Sequence, residues 1–125
     1  MFTLNKKMQK IFYLSTCDTC KRIMDEINLP QSFVQQDIKT NTITKEDLEH
    51  MYTLSGSYEA LFSKRARLYK EKNLKDTQFL ETDFKNLILE HYTFLKRPVI
   101  INNDEIFIGN SKKVVEVAKE SLHRS

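Results

Sequence analysis

The sequence predicts an α/β fold on a mixed sheet, a βαβ unit followed by a ββα unit, with a helical insertion between them. Three observations predict it. A run of β-branched and aromatic residues leads straight into Cys17-Asp18-Thr19-Cys20 and a helical pattern. Residues about 42–96 carry helix signals alone. A proline, Pro98, then introduces two short apolar runs separated by Asn and Asp.

Lys10-Ile11-Phe12-Tyr13-Leu14-Ser15 is almost wholly apolar, as suits a strand buried on both faces in a sheet with parallel pairing. After the cysteines, Ile23, Met24 and Ile27 fall at helical spacing, with Lys21, Arg22, Asp25 and Glu26 on the other side and Pro30 beyond the end. Ser32–Asp37 predicts a second strand, joined to the first through that helix. Thr44-Lys45-Glu46-Asp47 has the character of a capping box, and Leu48, Met51, Tyr52 and Leu54 follow as one apolar face until Ser55-Gly56. Tyr58–Phe62 predicts a short helix, and Phe84, Leu87, Ile88, Phe94 and Leu95 stripe a longer one across residues 82–95. Arg97-Pro98 ends it. Val99–Ile101 and Ile106–Gly109 then read as strand, turn and strand, and Val114, Val115, Ala118 and Leu122 as a final helix behind an Asn110 or Ser111 cap.

At 125 residues, with 40% hydrophobic residues and no low-complexity tract, the chain is expected to be one domain over residues 1–125 and a monomer. Twenty Lys and Arg against 17 Asp and Glu leave a net charge of +3, spread among acids, which is no footprint for direct nucleic-acid binding. Residues Met1–Met8 carry no apolar run with a cleavage site, and no later stretch is long enough to span a membrane, so the expected location is the cytoplasm. Two cysteines three positions apart suit a redox pair in a reducing compartment rather than a secreted disulfide framework. A Cys-x-x-Cys between first strand and first helix, with a proline entering the third strand, is the thioredoxin arrangement.

A cysteine attacks only as its thiolate, so a reactive one needs its pKa lowered. Cys17 precedes the helix, where unpaired N–H groups and the positive end of the helix dipole favour an anion, and Lys21 and Arg22 add charge. It is the candidate nucleophile. Cys20 lies about one turn on, placed to resolve a mixed disulfide or sulfenic acid on Cys17. Asp18 either opposes the thiolate by repulsion or caps the helix. The competing readings are an inert buried pair and half of a zinc site. Zinc needs two more ligands, and His50, His91 and His123 lack paired spacing; the first two read as helix-surface residues and the third as a frayed end.

Arg97-Pro98 is the second constellation. An X-Pro bond entering the third strand is where this fold commonly places a cis proline beside the thiol, so Arg97 is expected to stabilise a thiolate or grip an oxyanion, with Pro98 lining the substrate site. The alternative is a solvated arginine at a helix end. Ser63-Lys64-Arg65-Ala66-Arg67-Leu68-Tyr69 is basic with no acid. Lys64 and Arg65 are there candidates for a second oxyanion or glutathione-carboxylate contact, against the plainer reading of a solvated charged face.

Four segments resemble the arsenate reductase ArsC family, including its regulatory relative Spx: Phe12–Arg22, Ala60–Arg65 with Tyr69 and Leu74, Leu95–Ile100, and Ile108-Gly109. In the family's reductases, the cysteine matching Cys17 attacks arsenate and the arginine matching Arg97 holds the oxyanion. Glutathione and glutaredoxin return the electrons, and no bound cofactor is implied. Those enzymes usually carry arginines at the positions of Ser63 and Gly109 and lack a second cysteine at Cys20. The cysteine pair and the glycine match Spx, which uses its disulfide as a redox switch and binds the RNA polymerase α subunit. The resemblance thus implies either a thiol oxidoreductase acting on a small oxyanion or thiol substrate, or a redox-sensing regulator.

Overall fold

A computed structural model describes residues 8–74 and 77–124, with only the backbone of residues 67 and 68. The N-terminal residues 1–7, part of the expectation of a leaderless start, lie outside the described part, as does the Arg67 side chain. The elements run β1 (Gln9–Tyr13), α1 (Asp18–Glu26), β2 (Val34–Asp37), α2 (Lys45–Ser55), α3 (Arg67–Glu71), α4 (Glu81–Glu90), β3 (Val99–Asn102), β4 (Glu105–Ile108) and α5 (Lys112–Leu122). The chain divides into two compact units, residues 1–37 with 97–125, and residues 38–96.

The first unit holds a four-stranded sheet in the order β2-β1-β3-β4. β1 pairs parallel with β2, Tyr13 opposite Asp37, and antiparallel with β3, Phe12 opposite Val99. β3 and β4 form the predicted hairpin, with Asn102 opposite Glu105 and the turn passing through Asn103 at φ 59, a conformation asparagine tolerates. Strand alternation sends Ile11 and Ile100 to one face, where Ile23 and Ile27 from the α1 region, Phe33, and Val115 and Ala118 of α5 bury them. Phe12, Val99 and Ile101, which alternate to the other face, are buried as well. This is the two-faced burial that the apolar run of β1 predicts.

The hairpin and α5 are tied by polar contacts. Asn102 Nδ2 donates to Ser121 Oγ at 2.9 Å, and Ser121 Oγ donates to Glu105 Oε1 at 2.6 Å. His123, expected as a frayed end, instead contacts the Ile27 carbonyl through Nε2 at 2.8 Å, which fixes the end of α5 against the end of α1.

The second unit is helical. α2 starts on the predicted capping box, Thr44 Oγ1 accepting the Asp47 N–H and Asp47 Oδ2 accepting the Thr44 N–H, both at 3.0 Å, and stops at Gly56 with φ 79. The helix expected over 82–95 is not continuous. α4 ends at Glu90, His91 is extended, and a 3-10 turn covers Tyr92–Phe94. The cause is non-local. Leu95 bridges Phe62, the Ser63 N–H reaches the Phe94 carbonyl at 2.7 Å, and the Lys96 N–H reaches the Leu61 carbonyl at 2.8 Å. Phe94 thereby stacks on Phe62 with centroids 5.2 Å apart, while Phe84 of α4 packs on the same ring at 5.0 Å. The short helix expected at Tyr58–Phe62 is a 3-10 turn over Glu59–Leu61, its start held by Glu81, whose carboxylate accepts the Tyr58 and Glu59 N–H groups. Neither helix-surface histidine is a plain surface residue. His91 Nδ1 accepts the Thr93 N–H, and His50 is half-buried on α2, with Nε2 shielded and no partner among the described residues.

Candidate active site

The chain leaves β1 at Tyr13 and must reverse before entering α1. The Cys17 N–H closes that turn on the Leu14 carbonyl at 3.0 Å, and the Ser15 N–H is held by Asp37 Oδ1 at 3.3 Å from the end of β2. Cys17 therefore stands at the N-cap of α1 with extended backbone, its carbonyl accepting the Lys21 N–H at 3.3 Å. A helix N-terminus has donors without backbone partners; the Cys17 side chain makes no cap hydrogen bond to them, but they favour a negative charge at its sulfur.

The two thiols differ sharply. Partial burial opposes ionisation of Cys17, but the Cys20 N–H and thiol, the Thr19 N–H and the positive charge of Arg97 together outweigh it and hold its pKa below the ordinary value. Cys20 is fully buried on the inner side of α1. Burial pushes its pKa up to about 11, with the neighbouring Cys17 charge adding to the effect, against the lowering pull of a Leu14 backbone contact and of Arg97. Both are free thiols. An outside reactant thus meets Cys17, while Cys20 is reached through Cys17.

Arg97 is half-buried beside Pro98, and the Arg97-Pro98 peptide bond is cis. α4 stops at Glu90 and the 3-10 turn at Phe94, so Arg97 lies in the link between that turn and β3. The Pro98 carbonyl accepts the Gly109 N–H at 2.9 Å, closing the β3–β4 pair, and Gly109 takes φ 91. The first unit therefore holds Cys17, Cys20, Arg97 and Pro98, with Arg97 near enough to both thiols for its charge to act on them. Lys64 and Arg65 belong to the second unit. Both are exposed, and Lys64 Nζ pairs with Glu59 Oε2 at 3.1 Å. Asp37 is the residue that periodicity and motif spacing passed over. Its one visible signal is a carboxylate at the C-terminal end of a parallel strand, the edge of an open sheet where functional groups collect. Among the described residues, no three His, Cys, Asp or Glu side chains converge as a metal site, and no helix is long and apolar enough to cross a membrane.

The ArsC family model matches residues 12–118, from the end of β1 into α5. The chain belongs to the ArsC family. Among curated relatives of this ArsC-family chain, the global transcriptional regulator Spx of Streptococcus pneumoniae is 24% identical over 106 residues, covering 82% of this chain and 78% of the relative. The regulatory protein MgsR of Bacillus subtilis is 23% identical over 124 residues, covering 95% and 98%. Among solved structures, a putative ArsC family related protein from Bacteroides fragilis superposes with a TM-score of 0.71 at 22% identity, covering 87% of this chain and 95% of that one. An arsenate reductase from Vibrio cholerae superposes at 0.67 and 21%, covering 90% and 97%. At such identities the superpositions establish the thioredoxin-like ArsC fold.

Proposed function

We propose that this ArsC-family chain is a thiol oxidoreductase of the arsenate reductase type, with Cys17 as nucleophile and glutathione and glutaredoxin as its source of electrons. The observation that carries the reading is the asymmetry of the thiol pair: an accessible sulfur at a helix N-cap favoured as thiolate, and a buried, protonated one a turn behind it. With arsenate, the Cys17 thiolate attacks arsenic and displaces a hydroxide that leaves as water, giving a sulfur–arsenic(V) bond. A second thiolate then attacks Cys17 Sγ. The sulfur–arsenic bond breaks, its electron pair goes to arsenic, arsenite leaves, and the two sulfurs are joined as a disulfide. Arg97, with Pro98 beside it, holds the oxyanion through its planar donor fork, and Lys64 and Arg65 are the further candidates for anion contact. The reading places the protein in the cytoplasm, where such thiol donors are abundant.

The second thiol is either Cys20 or glutathione. Coupled turnover of arsenate with glutathione and glutaredoxin, measured on wild type, Cys17→Ser and Cys20→Ser, tests the whole scheme. Loss of turnover in Cys17→Ser alone supports a reductase resolved by glutathione. Loss in both supports resolution by Cys20, and no turnover in wild type overturns arsenate as substrate.

A second reading rests on the cysteine pair together with Gly109, the features that match Spx, and on curated relatives that are regulators. In it the Cys17–Cys20 disulfide reports redox state and alters binding to the RNA polymerase α subunit. Redox-dependent affinity for the α subunit's C-terminal domain, without turnover, favours this reading over the first.

A further inference from the structure

We infer that Asp37 is a positioning residue for Cys17, holding the turn before α1 through the Ser15 N–H so that the Cys17 sulfur faces the helix donors. The inference rests on the reading of Cys17 as the working thiol and goes beyond it, to a residue that acts on Cys17 through the backbone of the turn.

The geometry carries it. Only Leu14, Ser15 and Thr16 separate the end of β1 from Cys17, and such a segment needs its backbone groups fixed if the sulfur is to sit in one place. Hydrogen bonds from the turn do this. One is internal, Cys17 N–H to the Leu14 carbonyl at 3.0 Å. The other is external, Ser15 N–H to Asp37 Oδ1 at 3.3 Å, and it ties the turn to the end of β2. Its anchor is rigid, because Asp37 is the last residue of β2 and lies in register with Tyr13, the last residue of β1. A half-buried carboxylate accepting a backbone N–H holds it more firmly than water does. Without the contact, the turn keeps its internal bond but can pivot on β1, and the sulfur loses its fixed approach to the Thr19 and Cys20 N–H groups. Preorganisation of this kind separates a reactive site from one that merely contains the same residues.

The charge of Asp37 and its acceptor oxygen make opposite predictions, which allows a clean test. If the carboxylate acts on Cys17 as a charge, neutralising it favours the thiolate and speeds reaction. If it acts as an acceptor for Ser15, an amide oxygen serves as well and a missing oxygen slows reaction.

The experiment is the pH profile of iodoacetamide alkylation at Cys17, read by mass spectrometry on the full reduced chain, for wild type, Asp37→Asn, Asp37→Glu and Asp37→Ala. The expected result is a wild-type profile in Asp37→Asn and alkylation near neutral pH slowed about three- to tenfold in Asp37→Ala, with a matching upward shift of the midpoint. Asp37→Glu keeps the charge but moves the acceptor by one methylene, and is expected to slow reaction to a lesser degree. It also supplies the comparison if the alanine variant does not fold. A wild-type profile in both Asp37→Ala and Asp37→Glu, or a shift in Asp37→Asn as large as in Asp37→Ala, overturns the inference while leaving the proposed function standing. A wild-type Cys17 that titrates as an ordinary thiol overturns the proposed function itself, and this inference with it.

Discussion

The sheet unit and the helical unit are built by different kinds of information. In the sheet unit, nearly every element follows from residues close in sequence: the apolar run of β1, the cysteine at the N-cap of α1, the Asn-Asp turn between β3 and β4, and the Ser111 cap of α5, whose Oγ accepts the Val114 N–H at 3.2 Å. In the helical unit, α2 is set locally by its capping box and Gly56, and α4 starts on a local bond from the Leu80 N–H to Asp83 Oδ2 at 2.8 Å. The rest is arranged around one ring. Phe62 contacts Phe84 and Phe94, and Tyr69 and Phe79 lie at 5.9 and 6.4 Å from it. The chemistry-bearing pair stands in the unit whose elements are marked locally, although the pairing that assembles them, such as Phe12 opposite Val99, is long-range.

The largest test of this contrast removes the ring. Phe62→Ala deletes a fully buried aromatic at the centre of the cluster and is expected to cost about 3–5 kcal/mol. In a urea titration followed by tyrosine fluorescence and by alkylation of Cys17, the helical unit is expected to lose its transition first, with Cys17 still reacting as in wild type. Simultaneous loss of both signals would break the contrast, since the local framework would then depend on the aromatic cluster.

The same contrast explains what the sequence reveals of the fold and the site. Period-two and helical spacing, with the turn and cap residues between them, expose β1, α1, β2, β3, β4 and α5. The stripe from Phe84 to Leu95 has the spacing of a helix, yet its last residues close only a 3-10 turn and pair with the Leu61–Ser63 segment as well, and sequence spacing carries no record of that partner. In the site, Cys17, Cys20, Arg97 and Pro98 are legible because motif and proline mark them. Asp37 is not, because its role lies in a hydrogen bond across 22 positions. His123 is missed for a similar reason, its partner Ile27 being 96 positions away.

A second test, of intermediate size, sharpens the contrast within the thiol pair. Cys20 ionises near pH 11 in the folded chain, against an ordinary value of 9.0 that the unfolded chain approaches. Above about pH 9 the unfolded state therefore releases this proton first. The stability contributed by the raised pKa is complete below that point and is lost as pH rises towards 11, up to about 3 kcal/mol. Cys17 has the opposite sign, since its lowered pKa stabilises the fold above its unfolded value and that contribution is lost as pH falls through the folded pKa. Urea unfolding of the reduced chain from neutral pH to about pH 11 is expected to show a steeper alkaline decline in wild type than in Cys20→Ala. Equal slopes would mean that Cys20 is not held protonated by burial.

The smallest test concerns α2, whose start and stop are both locally specified. Thr44→Ala removes the hydroxyl that accepts the Asp47 N–H, while the return bond from the Thr44 N–H to Asp47 remains possible. A cap lost in this way costs about 1 kcal/mol. Because α2 also buries Leu48 and Met51 completely, it keeps its helical state in the folded chain, and the loss appears as a lower denaturation midpoint rather than as lost helix signal. Thr44→Ser, which restores a hydroxyl at the cap, is expected to recover most of the midpoint. If alanine and serine were equally destabilising, the effect would lie in the packing of the threonine methyl, and α2 too would have to be counted among the elements that distant contacts build.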